Sequence, residues 1–117
     1  MNLFIKEDFI SHAGLPLTWK VECDALTEKD YEALAKIVSE KLTFCDVKGI
    51  PRGGIPFEKA LKKYCTYNES DPLLICDDVY TTGTSMREVY EEGAIGVVVF
   101  ARNEINDDWI KAIWQMA

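Results

Sequence analysis

The chain has 117 residues and a formal net charge of −7, from 20 acidic against 13 basic side chains. That length suits one domain with a single core, taken here as residues 1–117. The acidic balance speaks against nucleic acid, whose phosphate backbone is bound by a surplus of Lys and Arg. Cys23, Cys45, Cys65 and Cys76 lack the paired spacing of a zinc site and sit in mostly apolar surroundings, which reads as reduced thiols of a cytoplasmic protein. No apolar stretch reaches the length of a membrane span, and Lys6, Glu7 and Asp8 stand where a signal peptide needs its apolar core, so no membrane partner is expected.

In chain order, residues 4–12 and 17–23 read as two short strands around a Gly14-Leu15-Pro16 turn. Thr27 and Asp30 form an N-cap pair that opens a helix, along which Tyr31, Leu34, Ala35, Val38 and Leu42 recur at helical spacing. Residues 46–50 are the next strand and 57–64 the next helix. Residues 73–76 (LLIC) are a continuous apolar run, the pattern of a central parallel strand covered on both faces. A short helix over 86–92 ends at Gly93, placed for a left-handed C′ residue. Residues 94–101 contain GVVVFA, a buried strand, and 107–116 make a terminal amphipathic segment with Trp109, Ile110, Ile113 and Trp114 on one side. No linker, repeat or low-complexity tract interrupts this order.

Two segments carry chemistry. In LLICDDVYTTGTS, residues 73–85, the buried strand leads to Asp77 and Asp78 where a strand of an open α/β sheet would end and bind ligands. Thr81, Thr82, Gly83, Thr84 and Ser85 follow, with hydroxyls, unencumbered backbone N–H groups and the start of a helix, all of which favour a phosphate dianion. Carboxylates repel phosphate, so the two acids face ribose hydroxyls or a magnesium ion instead. Taken singly, the acid pair is a solvated turn and TTGTS an N-cap with Ser85 and Glu88 as its capping box. The second segment is GIPRGGIPFEKAL, residues 49–61, again strand, loop and helix. Gly53 and Gly54 let the backbone approach a ligand, and Arg52 offers a planar fork for phosphate oxygens.

At this spacing, residues 73–85 resemble the phosphoribosyl pyrophosphate (PRPP) signature of type I phosphoribosyltransferases, with Tyr80 standing where that family usually has an aliphatic residue. The resemblance implies that Asp77 and Asp78 hold the ribose hydroxyls, with magnesium reached only through ligand or water, and that Thr81, Thr82, Gly83, Thr84 and Ser85 cradle the 5′-phosphate. Residues 49–61 resemble the family's pyrophosphate loop. By that likeness Pro51, Arg52, Gly53 and Gly54 meet pyrophosphate, and the Pro51–Arg52 peptide is cis. Asp77, Asp78 and Arg52 would be the catalytic residues.

The family's long mobile lid has no counterpart, because only residues 65–72 separate the second helix from the signature strand. If 65–67 were a strand, it would be antiparallel to the signature strand or not its neighbour. The two chain ends point to different acceptor bases. FISHAGLPLTWK, residues 9–20, and GVVVFARNE, residues 96–104, are similar to orotate phosphoribosyltransferases, with Ala13 in place of a usual Ser. DDWIKAIWQM, residues 107–116, resembles the purine-facing tail of xanthine-guanine phosphoribosyltransferases, where a Trp stacks on the base. Thr81 stands where 6-oxopurine enzymes have an Asp, and a threonine is no general base near neutral pH. Lys20, Arg102 and Trp109 are therefore the base-pocket candidates. Trp109 and Trp114 read equally as core or interface anchors, and His12 as a surface residue.

The expectation is a single-domain α/β protein with a mostly parallel sheet flanked by helices, a reduced hood and no long lid. Its expected activity is transfer of phosphoribose from Mg-PRPP to a nucleobase with release of pyrophosphate, orotate-like pyrimidines being favoured over 6-oxopurines. A homodimer through the C-terminal aromatic face is expected. The alternative is a non-catalytic PRPP or nucleotide sensor, which the missing lid favours. A third reading keeps the fold for interaction only, against which the retained acids and Arg52 speak.

Overall fold

A computed structural model describes residues 26–115 of the chain. The expected N-terminal hairpin, with Lys20 and His12, lies outside the described residues. Thr27 and Asp30 form a reciprocal capping box: the Asp30 N–H donates to Thr27 Oγ1 at 3.2 Å and the Thr27 N–H to Asp30 Oδ2 at 2.8 Å. Two orphan donors are thereby satisfied, and helix α1 (Glu28–Lys41) follows with Tyr31, Leu34, Ala35 and Val38 on its buried face. Leu42 is its cap residue, already extended.

Four strands, β1 (Asp46–Gly49), β2 (Leu73–Tyr80), β3 (Ile95–Ala101) and β4 (Ile110–Gln115), make one sheet in the order β1-β2-β3-β4, and every pairing is parallel. Helix α2 (Ile55–Leu61) and a 3-10 turn (Lys62–Tyr64) connect β1 to β2, and helix α3 (Thr84–Val89) connects β2 to β3. The continuous apolar runs of β2 and β3 follow from coverage on both faces. On one face α1 and α2 bury Leu34, Val38, Phe57 and Leu61 against Leu74, Cys76, Val97 and Val99. On the other, Met86 of α3 packs with Ile75, Tyr80, Val98 and Ile110.

Two sequence expectations change here, and a third point left open by the sequence is decided. Residues 107–116 have one-sided apolar spacing, yet the segment forms β4, because a parallel slot beside β3 pairs its backbone from Gly96↔Ile110 to Ala101↔Gln115. Gly93 has φ +87° but does not cap α3, which ends at Val89; it serves the turn in which the Ala94 N–H donates to Glu91 O at 3.0 Å. Residues 65–67 are not a strand. Their backbone donates to Phe44 O and Cys45 O at 3.0 and 2.9 Å, which places the 65–72 connection at the sheet's amino edge.

Candidate functional site

The carboxyl edge of the sheet gathers both motifs because neighbouring strands differ in length. β1 ends at Gly49, opposite Cys76, whereas β2 continues through Asp77 and Asp78 to Tyr80. The two acids thus lie inside the strand and not after it as the apolar run suggested, on the stretch that β1 no longer accompanies. Residues 50–54 turn over in that vacated space. The Ile50 N–H donates to Cys76 O at 2.9 Å, the Gly54 N–H to Ile50 O at 2.7 Å and the Ile55 N–H to Arg52 O at 3.1 Å. The Pro51–Arg52 peptide is cis. Glu58 of α2 accepts the Gly49 N–H at 2.6 Å, and the buried Cys76 thiol, held neutral by burial, donates to Gly54 O at 3.7 Å.

Gly53 is the point of closest approach. A Cβ there would lie 2.5 Å from both carboxylate oxygens of Asp78, so only a glycine lets the loop rest on that acid. Around the acids β2 changes face: Leu74 and Cys76 pack toward α1 and α2, Val79 does so as well, and Tyr80 turns to the α3 side. The local backbone marks the change, with the Asp78 N–H donating to Asp77 Oδ1 and the Val79 N–H to Asp78 Oδ1, each at 2.8 Å. Burial first, then the neighbouring Asp78, pushes the Asp77 carboxyl up to about 7. Near neutral pH it is therefore poised between donating and accepting a hydrogen bond, a property suited to vicinal hydroxyls.

Beyond Tyr80, residues 81–85 wall a small concavity of about 50 Å³ that also meets Asp77. Thr81, Thr82, Thr84 and Ser85 are exposed and Gly83 is buried with φ +81°. Ser85 is not the helix cap. That position belongs to Gly83, while Thr82 and Thr84 bond each other through their hydroxyls at 2.9 Å. Helix α3 has only 6 residues, so what this concavity offers an anion is hydroxyls and loop N–H groups more than a helix dipole.

The structure brings Pro51, Arg52, Gly53, Gly54, Asp77, Asp78 and residues 81–85 to one edge. Arg52 is exposed in the loop, and Arg102 is exposed directly after β3 at the same edge, its N–H donating to Tyr80 O at 2.9 Å. Trp109 is not brought there, a correction to the base-stacking expectation. It precedes β4 at the amino edge, its carbonyl accepts the Gly96 N–H at 2.8 Å, and its ring packs on Tyr90 with centroids 4.6 Å apart. Sequence reasoning missed Asp107, largely buried beside Tyr80 and Arg87. Its only sequence signal was the unusual Tyr at position 80.

Among the described residues no group of three or more His, Cys, Asp or Glu could hold a metal ion. Asp77 and Asp78 are the two acids at this edge that a hydrated cation carried on a ligand's own phosphates would meet. Among the described residues no helix is long and apolar enough to cross a membrane.

No model of a known protein family matches the chain, and no curated protein matches it. Among solved structures, it is similar to orotate phosphoribosyltransferase from Aeropyrum pernix, with a TM-score of 0.52 and 20% identity over 76% of this chain and 72% of that one. The chain therefore has a type I phosphoribosyltransferase-like fold, a four-stranded parallel sheet flanked by helices.

Proposed function

We propose that the protein binds Mg-PRPP at the carboxyl edge of its sheet and transfers the phosphoribosyl group to a nucleobase with release of pyrophosphate. The observation that carries this reading is the interlock of the two motifs, Gly53 seated on the Asp78 carboxylate. It sets residues 50–54 beside Asp77 and Asp78, with residues 81–85 following Tyr80 at the same edge. In this reading Asp77 and Asp78 accept the ribose hydroxyls, Thr81, Thr82, Gly83, Thr84 and Ser85 surround the 5′-phosphate, and Pro51, Arg52, Gly53 and Gly54 meet pyrophosphate. A ring nitrogen of the base forms the new bond to C1 of the sugar, and the C1–O bond breaks with its electrons leaving on pyrophosphate. Carboxylates beside a sugar that gains positive charge stabilise that transition state, and Arg52 stabilises the departing anion. Magnesium, bound with PRPP, would neutralise part of the pyrophosphate charge.

An orotate-like pyrimidine is the proposed acceptor. Arg102 is a cation at the correct edge for an anionic base, Thr81 offers no proton acceptor to a purine, and the orotate enzyme of A. pernix shares the fold. The amino-edge position of Trp109 removes the purine-stacking argument. A non-catalytic PRPP sensor is the second reading, favoured by one observation: residues 65–72 lie at the amino edge and do not cover the site. Trp109 and Trp114 pack into clusters on opposite faces of the sheet and make no common aromatic surface, a correction to the expected interface; the homodimer stays a proposal that rests on the open site, to be read as a doubled mass in light scattering.

Isothermal titration with Mg-PRPP is the first test. Asp77→Asn with Asp78→Asn should weaken binding at least about tenfold, since unpaired ribose hydroxyls cost about 1 to 3 kcal/mol each; unchanged affinity in a folded double variant would sink the assignment. Pyrophosphate release is then compared with orotate, uracil, guanine, xanthine and hypoxanthine. Orotate should be fastest, with PRPP hydrolysis competing because the site is open. A faster 6-oxopurine overturns the base preference, and tight binding without transfer or hydrolysis selects the sensor.

A further inference from the structure

The connection from β3 to β4, residues 102–109, contains no helix and is short for a crossover between parallel strands, so it runs directly across the sheet face beside α3. Ile105 and Trp109 pack into the apolar cluster of that face, and between them Asp107 turns inward. Its side chain is 12% exposed. A single oxygen, Oδ2, accepts from the Tyr80 hydroxyl at 2.9 Å and from Arg87 Nη1 at 2.8 Å, while the Asn106 N–H donates to the Tyr80 hydroxyl at 3.3 Å. Tyr80 itself is 2% exposed.

This group of side chains is built against the 81–85 loop. A Cβ on Gly83 would lie 2.7 Å from Asp107 Oδ2, 2.7 Å from the Tyr80 ring and 2.8 Å from Arg87 Nη1. The loop's left-handed residue thus rests on all three. The loop's own donors are neutral, its neighbours Asp77 and Asp78 are acidic, and the chain carries a net charge of −7. A fixed cation close by favours a phosphate dianion over these neutral donors alone, and Arg87 is half-exposed directly behind Gly83. A free arginine side chain samples many rotamers, and one tied to a buried carboxylate does not.

We propose that Asp107, with the Tyr80 hydroxyl, is a positioning residue that fixes Arg87 and the Gly83 turn as the cationic backing of the 5′-phosphate subsite. The inference rests on the proposed function above, in which residues 81–85 hold that phosphate, and it adds to it residues from a different part of the chain. It also accounts for the tyrosine at position 80: an aliphatic side chain there would fill the same cluster but could not donate to Asp107.

The test is titration of the intact protein with two ligands, ribose 5-phosphate for the 81–85 subsite and magnesium pyrophosphate for the 50–54 loop. Asp107→Asn and Arg87→Gln should each weaken ribose 5-phosphate about tenfold, Tyr80→Phe about threefold, and Arg87→Lys less than Arg87→Gln because it keeps the charge. Magnesium pyrophosphate affinity should stay within about twofold throughout. Undiminished ribose 5-phosphate affinity in Asp107→Asn and Arg87→Gln overturns the inference while leaving the function intact. Parallel loss of both ligands with a lowered melting temperature also overturns it, because it shows Asp107 bracing the fold alone. A wild-type protein that binds neither ligand removes the proposed function and this inference with it.

Discussion

The two loops at the carboxyl edge are held by different means. Residues 50–54 are fixed by their own backbone, through the bonds from Ile50 to Cys76 and from Gly54 to Ile50 and through glycines that leave no room for a side chain. Residues 81–85 are fixed from outside, by Asn103 donating to Thr81 O at 2.7 Å and by Tyr80, Arg87 and Asp107 behind Gly83. The first loop depends on its own sequence. The second depends on residues far away in the chain.

The sharpest way to break this contrast is at the adjacent glycines. At Gly54 an added Cβ would meet backbone atoms, Ile50 N at 2.6 Å and Cys76 O at 2.7 Å, which cannot move without breaking the bond that ties the loop to β2. Gly54→Ala should destabilise the protein by about 3 kcal/mol in urea unfolding. At Gly53 the obstacle is the Asp78 carboxylate, a side chain that can swing aside. Gly53→Ala should therefore cost under about 1 kcal/mol of stability, yet weaken Mg-PRPP at least about tenfold because Asp78 is displaced. Equal stability loss at both positions would show that the loop is less locked by its backbone than the distances imply.

The same contrast explains what the sequence disclosed. The β1 and β2 motifs were legible because their constraints are local: adjacent glycines, an apolar run and two acids at fixed offsets. Asp107 was not, because its partners Tyr80 and Arg87 stand 27 and 20 residues away and no short pattern links them. Residues 107–116 were misread for a related reason. Spacing describes which side chains are apolar, while the backbone partner that makes a strand, here β3, is set by the tertiary fold. Asp77 and Asp78 were read as following β2 because an acid pair looks like a strand end, and the extension of β2 past β1 is visible only in register.

Trp109 sharpens the comparison between edges. Packed on Tyr90 and over Gly96 at the amino edge, it contributes area to the fold and none to the site. Trp109→Ala should cost about 2 kcal/mol in urea unfolding, below the value for a fully buried Trp because the residue is only partly buried. Mg-PRPP affinity should stay within about twofold. A selective loss of base transfer, with PRPP binding intact, would return Trp109 to the base pocket.

The Asp77 carboxyl separates the loops by pH. Its folded value of about 7 stands above the ordinary 3.8, so the folded protein keeps a proton that the unfolded chain releases near pH 4. The sign is that of a raised acid: this group's contribution to stability is full below about pH 4 and is lost as pH rises toward 7. Ribose hydroxyls donate best to the ionised form, so ligand binding runs the other way, with Mg-PRPP about tenfold weaker at pH 6 than at pH 8. The ligand's own phosphate titrates in this range, and Asp77→Asn controls for it by retaining only that dependence. An identical pH profile in the variant would show that the ribose does not meet this carboxyl.

The smallest expected effect tests the outside support of the second loop. Asn103 is exposed, and its single bond to Thr81 O lies at the surface, where water replaces a lost donor at little cost. Asn103→Ala should change stability by less than about 0.5 kcal/mol, a shift of a degree or two in melting temperature. Its effect on ribose 5-phosphate should be correspondingly small, about twofold, because Tyr80, Asp107 and Arg87 still back Gly83. If Asn103→Ala instead weakened ribose 5-phosphate as much as Asp107→Asn, the loop would owe its shape to its exposed rim and not to the buried carboxylate. The difference between the two loops would then lie in how much of each is covered, since both would be held from their surfaces.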